Sequence, residues 1–145
     1  MADKIEIYTD GACSGNPGNG GWGAILLYKG HEKKISGHAK DTTNNRMEMS
    51  AVIEALKAVK KSKAEIIVYT DSKYVQNGIM SWIHNWKKNG WKGANKKPVK
   101  NVDLWKDLDL ESAKHEIEWK WVKGHAGNKY NEIADQLATD AIQRK

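Results

Sequence analysis

Two aspartates stand in nearly the same local text, Ile-Glu-Ile-Tyr-Thr-Asp-Gly over residues 5–11 and Ile-Ile-Val-Tyr-Thr-Asp-Ser over residues 66–72. In each, β-branched residues and a tyrosine lead into the acid, so Asp10 and Asp71 fall just past runs that read as strands. Open α/β sheets place their ligand crevice at the carboxyl ends of strands. If these two strands are parallel neighbours, about 4.8 Å apart, the carboxylates repel and the pair requires a cation or a raised pKa. Hard divalent ions take oxygen ligands, and two of them roughly 4 Å apart are the recurrent device for in-line phosphoryl displacement. Taken singly, each Asp is better explained as a cap of the following turn or helix. The matched context of the two favours chemistry.

Three further residues are candidates of weaker local signal. Glu48 lies near the start of an expected helix, where the dipole favours acids in any case. Asp135 sits in the last expected helix beside Ala134 and Ala138, small neighbours that permit close packing on a sheet. On position alone, each acid is better read as a surface carboxylate. His125, in Lys-Gly-His-Ala-Gly, stands in a loop from which an imidazole can reach substrate, with a pKa range suited to proton transfer near neutrality.

A second kind of signal is electrostatic. Between Trp82 and Lys100 lie Lys87, Lys88, Lys92, Lys96, Lys97 and Lys100 with no acid among them. Removing these six from the 24 lysines and arginines leaves 18, matched by 18 acids, so the formal charge of +6 is one local patch. Trp82, Trp86 and Trp91 interleave with the lysines, offering stacking surfaces beside phosphate-neutralising charge. The alternative is a solvated lysine face with tryptophans in the core. Base-specific readout favours Arg and Asn on an ordered helix, so the segment points to sequence-independent binding of nucleic acid.

The elements that must position these residues follow from pattern. A strand ends at Asp10, residues 11–21 read as a glycine-rich loop or hairpin turn, and residues 22–28 and 32–39 form two more strands. Polar residues 41–45 precede a helix over about residues 46–60. A β-branched strand, residues 65–70, is expected to be covered on both faces. Ser72 caps a short helix to about Asn77; further helices are expected at residues 81–86, 101–112 and 131–143, with a strand at 116–122. Strands separated by helices after an opening meander imply crossovers, hence an α/β fold with a mixed sheet and helices packed against it.

The 145 residues fit a single domain, 1–145, and 39% apolar content with two prolines argues against disorder. No apolar run approaches the roughly 20 residues of a membrane span. The N-terminal residues carry acids and lack a signal-peptide core, so a cytoplasmic location is expected. The lone Cys13 forms no internal disulfide and holds no zinc by itself.

In order along nearly the whole chain, several pieces resemble ribonuclease H type 1 of the bacterial kind. They are Tyr-Thr-Asp-Gly-Ala-Cys-Ser-Gly-Asn-Pro-Gly at residues 8–18, Thr-Thr-Asn-Asn-Arg-Met-Glu at 42–48, and Tyr-Thr-Asp-Ser at 69–72. The Trp/Lys stretch, Trp-Val-Lys-Gly-His-Ala-Gly at 121–127 and Asn-Glu-Ile-Ala-Asp at 131–135 complete the set. The resemblance implies a five-stranded mixed sheet with helices on both faces and hydrolysis of the RNA strand of RNA/DNA hybrids, leaving 5'-phosphate and 3'-hydroxyl ends. It implies that Asp10, Glu48, Asp71 and Asp135 hold two Mg2+ ions, with Mn2+ able to substitute, and that His125 assists proton transfer or product release. It further implies that Cys13, Ser14, Gly15, Asn16, Asn44 and Asn45 line the minor groove of the hybrid and that Thr43 lies near a DNA phosphate. Trp82, Trp86, Lys87, Lys88, Lys96, Lys97 and Lys100 then belong to a basic protrusion of a monomeric enzyme. Two other readings share the charged surface: a non-catalytic hybrid-binding module, disfavoured by the four acids, and a DNA-acting nuclease of the same fold, disfavoured by the protrusion and His125.

Overall fold

The computed structural model describes residues 4–15, 17–60, 63–93, 96–122 and 129–142. Three antiparallel strands, β1 (Ile5–Gly15), β2 (Gly18–Tyr28) and β3 (His31–Thr42), open the chain. Helix α1 (Asn44–Ala58) and strand β4 (Glu65–Thr70) follow. Next come α2 (Lys73–Asn77), a π turn at Gly78–Trp82, α3 (Ile83–Lys88) and α4 (Val102–Ser112), then strand β5 (Glu116–Trp121) and helix α5 (Lys129–Ile142). The five strands form one sheet in the order β3-β2-β1-β4-β5. β4 pairs in parallel with both β1 and β5, so the sheet is mixed, as the crossovers require.

Period-two alternation divides the side chains between two layers. Ile7, Ala24 and Leu26 join Met49, Val52 and Leu56 of α1 and Trp105 and Leu108 of α4 in the larger core. Their chain neighbours Tyr8 and Ile25 face the other way and pack with Ala134 of α5. Helices therefore cover both faces, and most of the apolar driving force comes from the α1/α4 side, at roughly 1.5–3 kcal/mol for each large aliphatic residue fully buried.

Of the two readings of the glycine-rich segment, loop or hairpin turn, the hairpin is the one that forms. β1 runs on past Asp10, pairing Gly11 with Trp22 through to Gly15 with Gly18, and Gly15, at φ 93°, is the one described residue of the segment with a positive φ. The glycines instead make room. A Cβ at Gly23 would overlap Leu137 Cβ and approach the backbone of Ala134 and Ala138, and one at Gly21 would overlap the Ala138 carbonyl of α5. The small residues noted around Asp135 and these glycines are two sides of one close helix–sheet contact.

The expected helix at residues 81–86 is part of a longer turn-rich arm. At the π turn the Ile83 N–H donates to the Gly78 carbonyl, five residues back. A Cβ on Gly78 would enter the Trp105 ring, which is wholly buried. The extra residue in the turn accommodates that close approach.

Candidate active site

The register of β1 on β4 runs from Ile5↔Ile66 to Tyr8↔Tyr69, which carries Asp10 and Asp71 forward to equivalent positions just beyond the parallel pairing. The strands are parallel neighbours, so the condition placed on the repeated text is met. Asp71 occupies the junction between β4 and α2, where its carbonyl accepts from Trp121 Nε1 at 3.1 Å. The Ser72 hydroxyl accepts from the Val75 N–H at 3.2 Å, capping α2.

Glu48 reaches the pair from α1. The Thr43 hydroxyl caps this helix, accepting from the Arg46 N–H at 3.2 Å, so that residues 44 and 45 form its exposed first turn and Glu48 its buried second one. The Gly11 N–H donates to Asp10 Oδ1 at 2.9 Å and also to Glu48 Oε1. A Cβ on Gly11 would collide with the Met47–Glu48 backbone, so the absence of a side chain there lets the glutamate helix touch β1. Carboxylate oxygens of Asp10, Glu48 and Asp71 all come within 4.8 Å of one another.

Burial and like charge act together on these acids. Asp10 is pushed up from 3.8 to about 7, first by burial, with Asp135 and Asp71 adding to the effect; its hydrogen bonding to Glu48 and to the Gly11 N–H opposes it. Glu48 is raised well above the usual carboxylate range by burial and then by the charge of Asp10. Alone, such a cluster holds together by keeping protons. A divalent cation would replace those protons, and an all-oxygen carboxylate donor set fits a hard ion such as magnesium or manganese.

Asp135 approaches from α5 on the opposite face and lines the same cleft as Asp10, whose carboxyl pKa it helps to raise. With Asn44, Asn45, Ser72, Lys73 and Tyr74 it completes the walls of an open cleft of about 400 Å³ around the three clustered acids. Four predicted acids and two predicted asparagines thus converge. Cys13 lies in β1 rather than in a loop, its thiol donating to the Thr42 carbonyl at 3.3 Å, and Ser14 and Gly15 are exposed at the hairpin tip. Asn16 and His125 lie outside the described residues.

The basic, aromatic segment divides into two roles. Trp86 and Trp91 are partly buried against the larger core, while Trp82 remains 38% exposed, its ring edge-on to Tyr74 at 5.7 Å. Lys88, Lys96, Lys97 and Lys100 are exposed. Lys87 is also exposed but pairs with Asp109 of α4 at 3.3 Å, a neutralising contact invisible to a local charge count. Sequence reasoning overlooked Tyr74, whose hydroxyl accepts from Asn101 Nδ2 at 3.1 Å and from Trp105 Nε1 at 3.2 Å. Its only sequence signal was its place three residues beyond Asp71.

A five-stranded mixed sheet, helices on both faces and acids gathered where the central parallel strands end define a ribonuclease H-like α/β protein. The RNase H family profile matches residues 2–143. The chain is 59% identical to a ribonuclease H of Chromobacterium violaceum over 142 residues, covering 97% of this chain and 96% of that one. It is 64% identical to one of Francisella philomiragia over 140 residues, covering 97% and 91%. In structure it is similar to LC9-RNase H1, a type 1 RNase H with the type 2 active-site motif, at TM-score 0.88 and 33% identity, over 98% of this chain and 73% of that one. The chain belongs to the ribonuclease H family and is an endoribonuclease of RNA/DNA hybrids. None of its described helices is long and apolar enough to cross a membrane.

Proposed function

We propose that the chain, as a single monomeric catalytic domain in the cytoplasm, cuts the RNA strand of a hybrid in the cleft between Asp10, Glu48, Asp71 and Asp135. The convergence of three carboxylates within 4.8 Å, beside exposed asparagines and a lysine-rich arm, is the observation that carries this reading. Two magnesium ions, or manganese in their place, would be held by the four acids, and would supply activation of water and stabilisation of the leaving 3'-oxygen, giving 5'-phosphate and 3'-hydroxyl ends.

The chain's own residues would do the rest. Asn44 and Asn45, on the exposed first turn of α1, present amides to the 2'-hydroxyls and base edges of a wide minor groove, together with Cys13, Ser14, Gly15 and Asn16. Thr43 and the exposed lysines Lys88, Lys96, Lys97 and Lys100 take phosphates, with Lys87 shared between substrate and Asp109. Trp82 offers a stacking face to the DNA strand, with Trp86 packed beneath it at 5.9 Å. His125 would move a proton on or off the reacting phosphate.

The test is incubation with end-labelled RNA/DNA hybrid, RNA duplex and DNA duplex, each with magnesium and with chelator. Cleavage confined to the hybrid's RNA strand, dependent on metal and lost in Asp10→Asn, is expected. An intact hybrid in the presence of magnesium would remove the reading, and cleavage of the DNA duplex would favour a DNA-acting nuclease instead.

A further inference from the structure

Arg46 lies between two residues of the cleft wall and the catalytic glutamate, yet its side chain turns away from the acids. Its Nη1 donates to Asn101 Oδ1 and to Asp103 Oδ1, both at 3.1 Å, and its Nη2 donates to Asp103 Oδ2 at 2.7 Å. The two Asp103 contacts form a planar fork on one carboxylate, the geometry that a lysine cannot reproduce. Asp103 is largely exposed, and an isolated surface pair there would be worth little.

This pair is not isolated. Asn101 holds a left-handed backbone at φ 61°, and its side chain makes no cap for α4. That side chain instead bridges, accepting from Arg46 through Oδ1 and donating to the Tyr74 hydroxyl through Nδ2. Tyr74 in turn packs against Trp82 and Trp105. One continuous set of contacts therefore runs from the first turn of α1 to the exposed tryptophan of the lysine-rich arm.

We propose that Arg46 is a positioning residue, fixing the Trp82 arm relative to the helix that carries Asn44, Asn45 and Glu48 so that one duplex meets both in a single register. Arg46 touches neither the acids nor the stacking face; it acts through Asn101 and Tyr74. A duplex that spans cleft and arm depends on their relative placement, whereas one confined to the cleft does not. The proposal rests on the hybrid-cutting reading above.

The experiment compares Arg46→Ala, Arg46→Lys, Asp103→Ala and the Arg46→Ala/Asp103→Ala double variant on hybrids of about 20 and about 6 base pairs, at ~3.4 Å per step. On the long hybrid each single variant, Arg46→Lys included, is expected to raise KM about tenfold with kcat within about twofold, and the double variant to be no worse than either. On the short hybrid the change is expected to shrink to under about twofold. Equal losses on both lengths, or a fall in kcat, would reduce Arg46 to local support of the cleft. A lower KM for Asp103→Ala with wild-type behaviour of Arg46→Lys would reduce it to a plain charge, and either outcome overturns the proposal. Failure of the wild-type chain to cut the long hybrid would instead remove the underlying reading.

Discussion

Replacing Asp10 by asparagine should make the metal-free protein more stable while abolishing cleavage. The carboxyl titrates at about 7 in the fold against 3.8 for a free side chain, so the native state binds its proton more tightly than the unfolded chain does. Stability from this group is accordingly greatest at acid pH and declines as pH rises from about 4 through about 7, a total of about 4 kcal/mol. Asparagine stays neutral throughout and keeps an oxygen for the Gly11 N–H that now reaches Asp10 Oδ1 at 2.9 Å. Because Glu48 shares the penalty, part of it stays with that residue, and a net gain of about 2–3 kcal/mol at pH 8 is expected. At pH 4.5, where the wild-type carboxyl is protonated in the fold, the gain should fall to about 1 kcal/mol. Urea unfolding of both proteins in chelator, at the two pH values, measures this directly. Saturating magnesium should then narrow the difference at pH 8 by stabilising the wild type through binding. A variant no more stable than wild type at pH 8, or one with the same gain at both pH values, would refute the account of the cluster as a strained, proton-holding site.

Gly23→Ala should cost about 1–3 kcal/mol in a denaturant melt, because its new methyl would meet Leu137 and the α5 backbone. Trp105→Ala should destabilise by about 3–5 kcal/mol, whereas Trp82→Ala should leave the melt nearly unchanged and raise KM about tenfold. Neutralising Lys96 and Lys97 together should weaken hybrid binding and lower the slope of log affinity against log salt by about two, as titrations over a range of potassium chloride would report.

The elements that carry the site were legible because their patterns are local. The doubled Tyr-Thr-Asp text marked Asp10 and Asp71, and its conditional, parallel neighbouring strands, is met by the β1–β4 register. Glu48 and Asp135 were not separable from surface acids by spacing, since each is brought in by a helix whose docking depends on distant glycines. Residues 11–21 left loop and hairpin turn both open, because composition cannot distinguish a glycine needed for a turn from one needed for contact with α5. Charge counting along the chain likewise missed Asp109, which meets Lys87 only after α3 and α4 pack. The Arg46–Asn101–Tyr74 connection has no sequence period at all, being a product of three elements meeting.

The parallel pairing of β1 with β4 also sets when the cleft can come into being. A parallel neighbour cannot form by a hairpin; the chain must pass through the β2, β3 and α1 segments before it returns to the sheet. The carboxylates therefore remain far apart until this long crossover closes, and loop closure over such a separation is a slow event in folding. Ions bound by the finished cluster can act only after that step. Magnesium should slow the unfolding limb of a chevron while leaving the refolding limb unmoved, so the cation protects the enzyme kinetically without guiding the chain to its structure.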